Sequence, residues 1–208
     1  MIDLYTDSSP NGFKVTIALE ELGLPYRLHH VRIDKGEHRL PTFLALNPHG
    51  RIPVIVDNET GITLFESAAI LLYLAEKSGQ LLPSDLAARW ETIKWLQFHS
   101  SSVGPVIGQR VYFELFAEEK NPIAIERYRQ LTNDSFAVLD NQLANGHRWL
   151  AGEDYSIADI AQFGWTHIAQ IIDFDFSQHR YLSAWYQRVA QRSAVRKGIT
   201  LPAPATGA

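Results

Sequence analysis

The order of the secondary-structure signals constrains this chain more than any other feature. Within the first 77 residues, apolar stretches typical of strands are interleaved with stretches of helical spacing. They predict strand, helix, strand, helix, strand, strand and helix at residues 2–6, 15–22, 26–33, 40–46, 53–57, 62–65 and 66–77. Ser67 is placed to satisfy the first turn of the last helix. A βαβαββα order of this kind predicts a compact α/β domain.

No convincing strand follows Gly79, and apolar residues then recur only at helical spacing. Helices are predicted over 86–117 with an interruption at Pro105, over 121–145, from the capping-box sequence SIAD at 156–159 onward, and over 179–192. The predicted organisation is therefore a first domain at 1–78, a linker at 79–85 and an all-helical domain at 86–208, whose proline-rich tail is expected to fray. The helical half holds five tryptophans that are expected to lie chiefly in the core, Trp90, Trp95, Trp149, Trp165 and Trp185.

The composition excludes several functional classes. None of the 208 residues is cysteine, so the chain has no disulfide, no zinc–thiolate site and no thiol nucleophile of its own, and a cytoplasmic location is expected. No signal-peptide pattern opens the sequence, and no stretch approaches the ~20 apolar residues of a membrane span. A net charge of −4 without a dense Lys/Arg cluster argues against nucleic-acid binding.

The sequence contains none of the common metal-binding or nucleotide-binding motifs. The eight histidines form no H-E-x-x-H pattern. His29 and His30 are neighbours in a predicted strand, so their side chains point to opposite faces and cannot easily share a metal. Neither G-x-S-x-G nor a phosphate-binding glycine loop occurs. We therefore expect no metal site.

Several motifs together resemble one known family. The element order, with the Ile52–Pro53 bond directly before the third strand, matches a thioredoxin-like domain, which holds a cis-proline at that point. With Glu66 and Ser67 one hairpin later and SIADI in the helical half, the chain is similar to cytosolic glutathione transferases over nearly its whole length. The segments IDLYTDSSPNGFK, FESAAILLYLAEKSG, GPVIGQ and YSIADIA resemble the nu class, the glutathione-dependent disulfide-bond reductases of bacteria.

The turn SSPN at residues 8–11 stands where redox proteins of this fold carry cysteines. The resemblance implies that glutathione supplies the thiol, and that Ser9 and Asn11 donate hydrogen bonds that lower its pKa. Ser9 replaces the threonine usual in the nu class. The alternative for both residues is ordinary turn chemistry, since serine and asparagine are frequent in turns. Tyr5 is the rival thiol partner, although an aromatic residue on a strand also serves in packing.

The resemblance also places the peptide ligand along the third strand and the last helix of the first domain. Ile52, before Pro53, is expected to exchange backbone hydrogen bonds with the cysteinyl unit of glutathione. Glu66 is expected to pair with the γ-glutamyl ammonium. Ser67 and the start of its helix are expected to hold the γ-glutamyl carboxylate.

Three further residues are assigned to the ligand by resemblance alone. His38 and Arg51 are expected near the glycine end of glutathione, and Arg127 is expected to reach the ligand from a second subunit. The alternative is a solvated surface charge for each arginine and a loop residue for His38, where the family usually has glutamine. Candidates for lining a substrate cleft between the domains, with core packing as the alternative role of each, follow the GPVIGQ segment: Tyr112, Phe113 and Phe116.

Two functions from different classes remain open. The first is an enzyme, a homodimer that reduces disulfides with glutathione as the thiol and has a modest glutathione transferase activity toward electrophiles. The second is a non-catalytic glutathione-transferase-like module that binds a partner or serves regulation. The retained Asn11, Pro53, Glu66 and Ser67 favour the enzyme, because a module freed from glutathione has little physical need for all four.

Overall fold

The computed structural model describes residues 1–169, 172, 174 and 177–203, and the chain divides into two compact units. One unit comprises residues 1–80 together with the C-terminal residues from 191 onward, and the other comprises residues 81–190. The all-helical domain predicted at 86–208 thus includes a C-terminal segment that the structure groups with the first unit. Of the tail that was expected to fray, residues 204–208 lie outside the described residues.

The described part of the chain contains four strands and nine α-helices, besides short 3₁₀ and π-helical turns. The strands are β1 (Ile2–Thr6), β2 (Tyr26–His30), β3 (Val54–Asp57) and β4 (Ile62–Phe65). The helices are α1 (Pro10–Leu22), α2 (Pro41–Leu44), α3 (Ser67–Ser78), α4 (Leu86–Phe98), α5 (Gly104–Val111), α6 (Pro122–Ala144), α7 (Ile157–Ala169), α8 (Arg180–Ala190) and α9 (Ser193–Gly198). All seven elements predicted for the first 77 residues are present in the predicted order.

The sheet of the first unit is mixed, with the strand order β2-β1-β3-β4. β1 pairs parallel with β2 and antiparallel with β3, and β4 pairs antiparallel with β3 at the edge. Leu4 lies at the centre, opposite Leu28 on β2 and Ile55 on β3. Leu4 and Ile55 are fully buried, as are Ile17 on α1 and Leu71 on α3. This arrangement confirms the predicted thioredoxin-like domain.

The short helix α9 belongs to the first unit because it packs closely on α1. Thr16 donates from its hydroxyl to the Gly198 carbonyl at 2.8 Å. A Cβ atom at Gly198 would lie 2.6–2.9 Å from atoms of Ile17, so only glycine permits this approach. Arg192 forms a bidentate ion pair with Glu21, with N···O distances of 2.5 and 2.8 Å.

The second unit is helical, as predicted, and within its described residues the only strand-like pairing is a bridge between Trp149 and Gly152. Its core includes Phe136 and Trp185, both fully buried. Trp90 departs from the prediction of a buried tryptophan, since 62% of its surface is exposed. None of the helices in the described residues is both long and apolar enough to cross a membrane.

The predicted interruption near Pro105 takes the form of a π-helical turn. The chain passes from α4 through a π-helical turn at His99–Val103 into α5, and the Gly104 N–H donates to the His99 carbonyl five residues earlier. Pro105 occupies the first turn of α5, where its missing N–H leaves no gap in that helix. A second π-helical turn, Tyr112–Phe116, follows α5.

The capping box predicted at 156–159 is present and begins α7. The Asp159 carboxylate accepts from the Ser156 backbone N–H at 3.0 Å, and the Ser156 hydroxyl accepts from the Ala158 N–H at 3.3 Å. Asp159 is fully buried and also accepts from Leu150 N and Trp185 Nε1. Burial raises the pKa of this carboxyl, and these hydrogen bonds oppose the shift.

Candidate active site

The turn between β1 and α1 is closed by Ser9, the N-cap residue of α1. Its backbone is extended, with φ −157° and ψ 158°, and its Oγ accepts from the Gly12 N–H at 3.0 Å. A hydroxyl that accepts through its oxygen still carries its own proton and can donate it elsewhere. A Cβ atom at Gly12 would lie 2.4 Å from the Asp7 carbonyl oxygen, so the turn requires glycine there. Turn chemistry and hydrogen-bond donation are therefore compatible at Ser9.

Asn11 lies two residues later, in the first turn of α1, with its side chain half-buried. Its Oδ1 accepts a hydrogen bond from Lys14 Nζ at 2.7 Å. A lysine ammonium has three donors and no acceptor, so the amide atom that faces it is the oxygen. The N–H₂ end of Asn11 is consequently on the other branch of the amide, directed away from the lysine.

Lys14 contacts two candidate site residues, and the sequence analysis did not name it. It lies within the buried run Gly12–Leu19 of α1, is 2% exposed, and donates from Nζ to both Asn11 Oδ1 and Ser67 Oγ, the latter at 3.2 Å. Burial lowers the pKa of Lys14 to about 7, and the charge of Glu66 opposes that shift. The one signal in the sequence is a lysine flanked by apolar residues in a helix, which usually indicates a solvent-facing side chain.

The N-terminus of α3 presents Glu66 and Ser67, but not with the capping that was predicted. Glu66 is the N-cap residue, exposed, with a backbone φ of 71°, and among the described residues no side chain caps this helix. Ser67 is the first residue of α3, and its Oγ accepts from Lys14 rather than from the first turn. The backbone N–H groups of that turn remain directed outward, a suitable arrangement for a carboxylate. A non-glycine residue at positive φ is strained by ~1–3 kcal/mol, and such strain is concentrated at functional sites.

The Ile52–Pro53 peptide bond is cis, as the sequence predicted. Ile52 is half-buried and packs against a cluster formed by Val31, Phe43 and Val54. This packing anchors the segment just before β3. The backbone exchange expected between Ile52 and glutathione stays a prediction.

The two residues predicted at the glycine end lie on adjoining loops of the first unit. His38 is in a 3₁₀ turn, Glu37–Arg39, and its Nδ1 is buried with no hydrogen-bond partner among the described residues. A Cβ atom at Gly50 would lie 3.0 Å from the His38 carbonyl oxygen, so the backbone just before Arg51 closely approaches this turn. Arg51 is exposed, and its carbonyl accepts from Asn47 Nδ2 at 2.7 Å.

Tyr5, the rival thiol partner, has a packing environment. Its ring stacks on His29 of β2 with a centroid distance of 4.4 Å and an angle of 10° between the planes. It also contacts the apolar cluster around Val31. His29 in turn bonds Asp3 through Nε2 at 2.8 Å. The ring is therefore held by neighbours on the sheet.

The helical unit carries the remaining candidates. Arg127 is exposed on α6. The aromatic residues Tyr112, Phe113 and Phe116 line a cavity of about 740 Å³, together with Ile123 and a polar segment at residues 118–121. Within the described residues, no group of three or more His, Cys, Asp or Glu side chains is arranged to hold a metal ion.

Comparisons with known proteins agree over nearly the whole chain. The family models "Glutathione S-transferase, N-terminal domain" and "Glutathione S-transferase, C-terminal domain" match residues 8–77 and 95–193. The disulfide-bond oxidoreductase YfcG of Escherichia coli (strain K12) is 40% identical over 204 residues, which cover 96% of this chain and 94% of that protein.

Solved structures of similar proteins contain glutathione. A glutathione transferase homolog from Lodderomyces elongisporus with two GSH per subunit has a TM-score of 0.92 at 35% identity, covering 97% of this chain and 98% of that chain. A glutathione transferase from Pseudomonas putida with one glutathione disulfide bound per subunit has a TM-score of 0.90 at 38% identity, covering 97% and 91%.

Proposed function

This chain belongs to the glutathione S-transferase family, and from that premise we propose that it is a glutathione-dependent disulfide-bond oxidoreductase of the nu class. The observation that carries the proposal is the start of α1, where a serine hydroxyl and an asparagine amide stand in the turn of a chain without cysteine. The name of YfcG, and the two GSH or one glutathione disulfide bound by the relatives from Lodderomyces and Pseudomonas, support it.

The proposed reaction is thiol–disulfide exchange in two steps. The thiolate of one glutathione attacks a sulfur of the substrate disulfide, forming a mixed disulfide and releasing the first substrate thiolate. The thiolate of a second glutathione then attacks the glutathione sulfur of that mixed disulfide. Glutathione disulfide forms, and the second substrate thiolate leaves. Two glutathione molecules are oxidised, one substrate disulfide is reduced to two thiols, and the protein needs no cysteine.

The roles of the site residues follow from the shape of glutathione. Ser9 and Asn11 donate to the reacting sulfur and favour its thiolate form. The γ-glutamyl end is held by Glu66 and Ser67 at the start of α3. The backbone of Ile52 beside Pro53 pairs with the cysteinyl unit.

Three further residues and one cavity complete the proposal. His38 and Arg51 serve the glycine end, and His38 brings a buried Nδ1 without a partner in the described part of the chain. Arg127 acts on the ligand of a partner subunit in a homodimer. The aromatic cavity at Tyr112 and Phe116 supports a modest transferase activity toward apolar electrophiles.

The proposal is tested by combining binding with turnover. Isothermal titration with reduced and oxidised glutathione should show binding of both, and a small symmetrical disulfide should be reduced only when reduced glutathione is present. Glutathione binding without any turnover would point to the non-catalytic module instead. The absence of glutathione binding would remove the enzyme and leave the non-catalytic module freed from glutathione.

A further inference from the structure

Lys14 is buried in the first unit in a way that simple packing does not explain. It is 2% exposed. Burial disfavours the charged ammonium and lowers the pKa of Lys14 to about 7. A buried lysine that served only to fill space would be replaced by an apolar side chain at no loss of packing. Its two hydrogen-bond acceptors are Asn11 Oδ1, in the turn assigned to the thiol, and Ser67 Oγ, at the position assigned to the γ-glutamyl end.

The bond to Asn11 has a chemical consequence. An asparagine amide can face a ligand with either an acceptor or two donors, and only the donors stabilise a thiolate. An ammonium 2.7 Å from one branch of the amide makes that branch the oxygen. The orientation that presents N–H to sulfur is therefore held by Lys14, from inside the protein.

The bond to Ser67 connects the same cation to α3. Ser67 is 53 positions from Lys14 in the chain. The charge of Glu66, the residue before Ser67, raises the pKa of the lysine. A negative ligand at this site adds a further charge that favours the ammonium form of Lys14. One cation thus holds side chains from both helices that meet the ligand.

We propose that Lys14 is a positioning residue for the glutathione thiolate, holding the Asn11 amide with its N–H toward sulfur and tying that turn to Ser67. The inference rests on the proposed function and deepens it. Loss of the ammonium should raise the thiol pKa of bound glutathione and lower kcat more than it raises KM.

The absence of cysteine permits a matched pair of side chains at this position. In a Lys14→Cys protein the single thiol can be alkylated in denaturant with 2-bromoethylamine or with 1-bromopropane, and the protein refolded. The two products have side chains of equal length that end in an ammonium or in a methyl group. The parent protein, carried through the same steps, controls for refolding.

We expect the ammonium form to retain turnover close to the parent, and the propyl form and Lys14→Met to lose about 10- to 100-fold in kcat, the effect of one lost charge-assisted hydrogen bond. The ultraviolet absorbance of the thiolate should show a raised pKa of bound glutathione in the same two proteins. In an Asn11→Ala background Lys14→Met should add little further loss, because the lysine acts through Asn11. Circular dichroism confirms that each protein is folded.

The outcomes separate this inference from the proposed function. If the parent protein turns over and the two alkylated forms are equally active, the role of Lys14 is overturned and the proposed function stands. Full additivity with Asn11→Ala would overturn the route through Asn11. A parent that binds glutathione without turnover would overturn the proposed function, while the thiol pKa of the bound ligand still decides the role of Lys14. A parent that does not bind glutathione would overturn both.

Discussion

At the scale of single residues, Ser9 combines two tasks in one hydroxyl. Its oxygen caps α1 by accepting from the Gly12 N–H. In the proposed mechanism its hydroxyl proton is donated to the glutathione sulfur. Asn11 also uses its amide for two purposes: the oxygen accepts from Lys14, and in the proposed mechanism the N–H₂ donates to the ligand. These residues would therefore respond differently to truncation, because only Ser9 also supports the helix.

Substitutions in the turn should rank by how much hydrogen bonding to the reacting sulfur each removed side chain supplies. Asn11→Ala should lower the rate of glutathione-dependent disulfide reduction by about 10- to 100-fold, the value of a hydrogen bond of ~1.5 to 3 kcal/mol to a charged acceptor. Ser9→Ala should cost less activity, and Tyr5→Phe least. Ser8→Ala, at an exposed neighbour, is the control. A dead Tyr5→Phe protein beside an active Asn11→Ala protein would return the thiol role to the tyrosine.

Lys14 should impose a pH dependence on stability. Its pKa is about 7 in the folded protein and ~10.4 in an unfolded chain. Between these values the unfolded chain binds a proton that the folded chain does not, so the free energy of unfolding rises with pH by at most about 1.4 kcal/mol per unit. Lys14→Met should remove that rise and be the more stable protein below pH 7. Urea unfolding of both proteins from pH 6 to 9 measures the difference, and a pH-independent difference would contradict the burial argument.

At the scale of elements, the starts of three helices differ in how their backbone N–H groups are used. α1 is closed by the Ser9 side chain, whereas α3 begins at Glu66 without a side-chain cap among the described residues. An uncapped helix start keeps its N–H groups for a ligand, and a capped one uses them for stability. The start of α7 is capped, because the buried Asp159 carboxylate accepts from both the backbone N–H and the hydroxyl of Ser156.

Removing the side chains at the start of α3 should weaken glutathione binding more than it slows the chemistry, since the γ-glutamyl end is remote from sulfur. We expect Glu66→Ala and Ser67→Ala each to lose roughly 1.5 to 3 kcal/mol of binding free energy. Isothermal titration measures this directly. Glu59→Ala, an exposed acid in the turn at the far end of the β3–β4 hairpin, is the matched control. Folded Glu66 and Ser67 variants that bind as the parent does would refute the assignment.

The capping box of α7 should be among the most sensitive points for stability in the second unit. Asp159→Ala leaves buried donors on Leu150, Ser156 and Trp185 without their acceptor, so we expect a loss of about 3 kcal/mol in unfolding free energy. Asp154→Ala, at an exposed position just before α7, should change stability little. Denaturant midpoints of the two variants make the comparison. Equal midpoints would mean that the Asp159 network contributes nothing.

At the scale of the whole molecule, each unit leaves large apolar side chains exposed. Ile62 and Phe65 lie on the edge strand β4, while Leu86 and Trp90 lie four residues apart on one face of α4. Exposed apolar groups grouped in this way are typical of protein interfaces. They support the proposal of a two-fold homodimer, in which such surfaces would be covered.

The chain should therefore sediment as a dimer of the 23.5 kDa subunit at micromolar concentration. Trp90→Glu should shift the equilibrium toward the monomer, because a charge at the centre of an apolar contact is left without a partner. If Arg127 acts on the ligand of the partner subunit, the same variant should lose activity on dilution in parallel with dissociation. Analytical ultracentrifugation over a concentration series measures both proteins, and a parent that remains monomeric would exclude the dimer.

The sequence by itself determined the element order, the helical second half and the capping box of α7, whereas the cis peptide before β3 was expected from the family resemblance. The first three of these depend on local chemistry: apolar periodicity, or a serine and an acid three residues apart. The residues Ser9, Asn11, Glu66 and Ser67 were likewise named from motifs. Which of them are brought together could not be read from spacing.

Tertiary structure alone decided the burial of Lys14 and the grouping of α9 with α1. A lysine in a helix is usually solvated, whereas this one is buried and has an acceptor on α3, Ser67. Thr16 finds the Gly198 carbonyl 182 positions away by the same kind of long-range contact. Trp90 shows the opposite case, an apolar residue left exposed. Local patterns specify secondary structure, whereas burial is a property of the neighbours that the fold supplies.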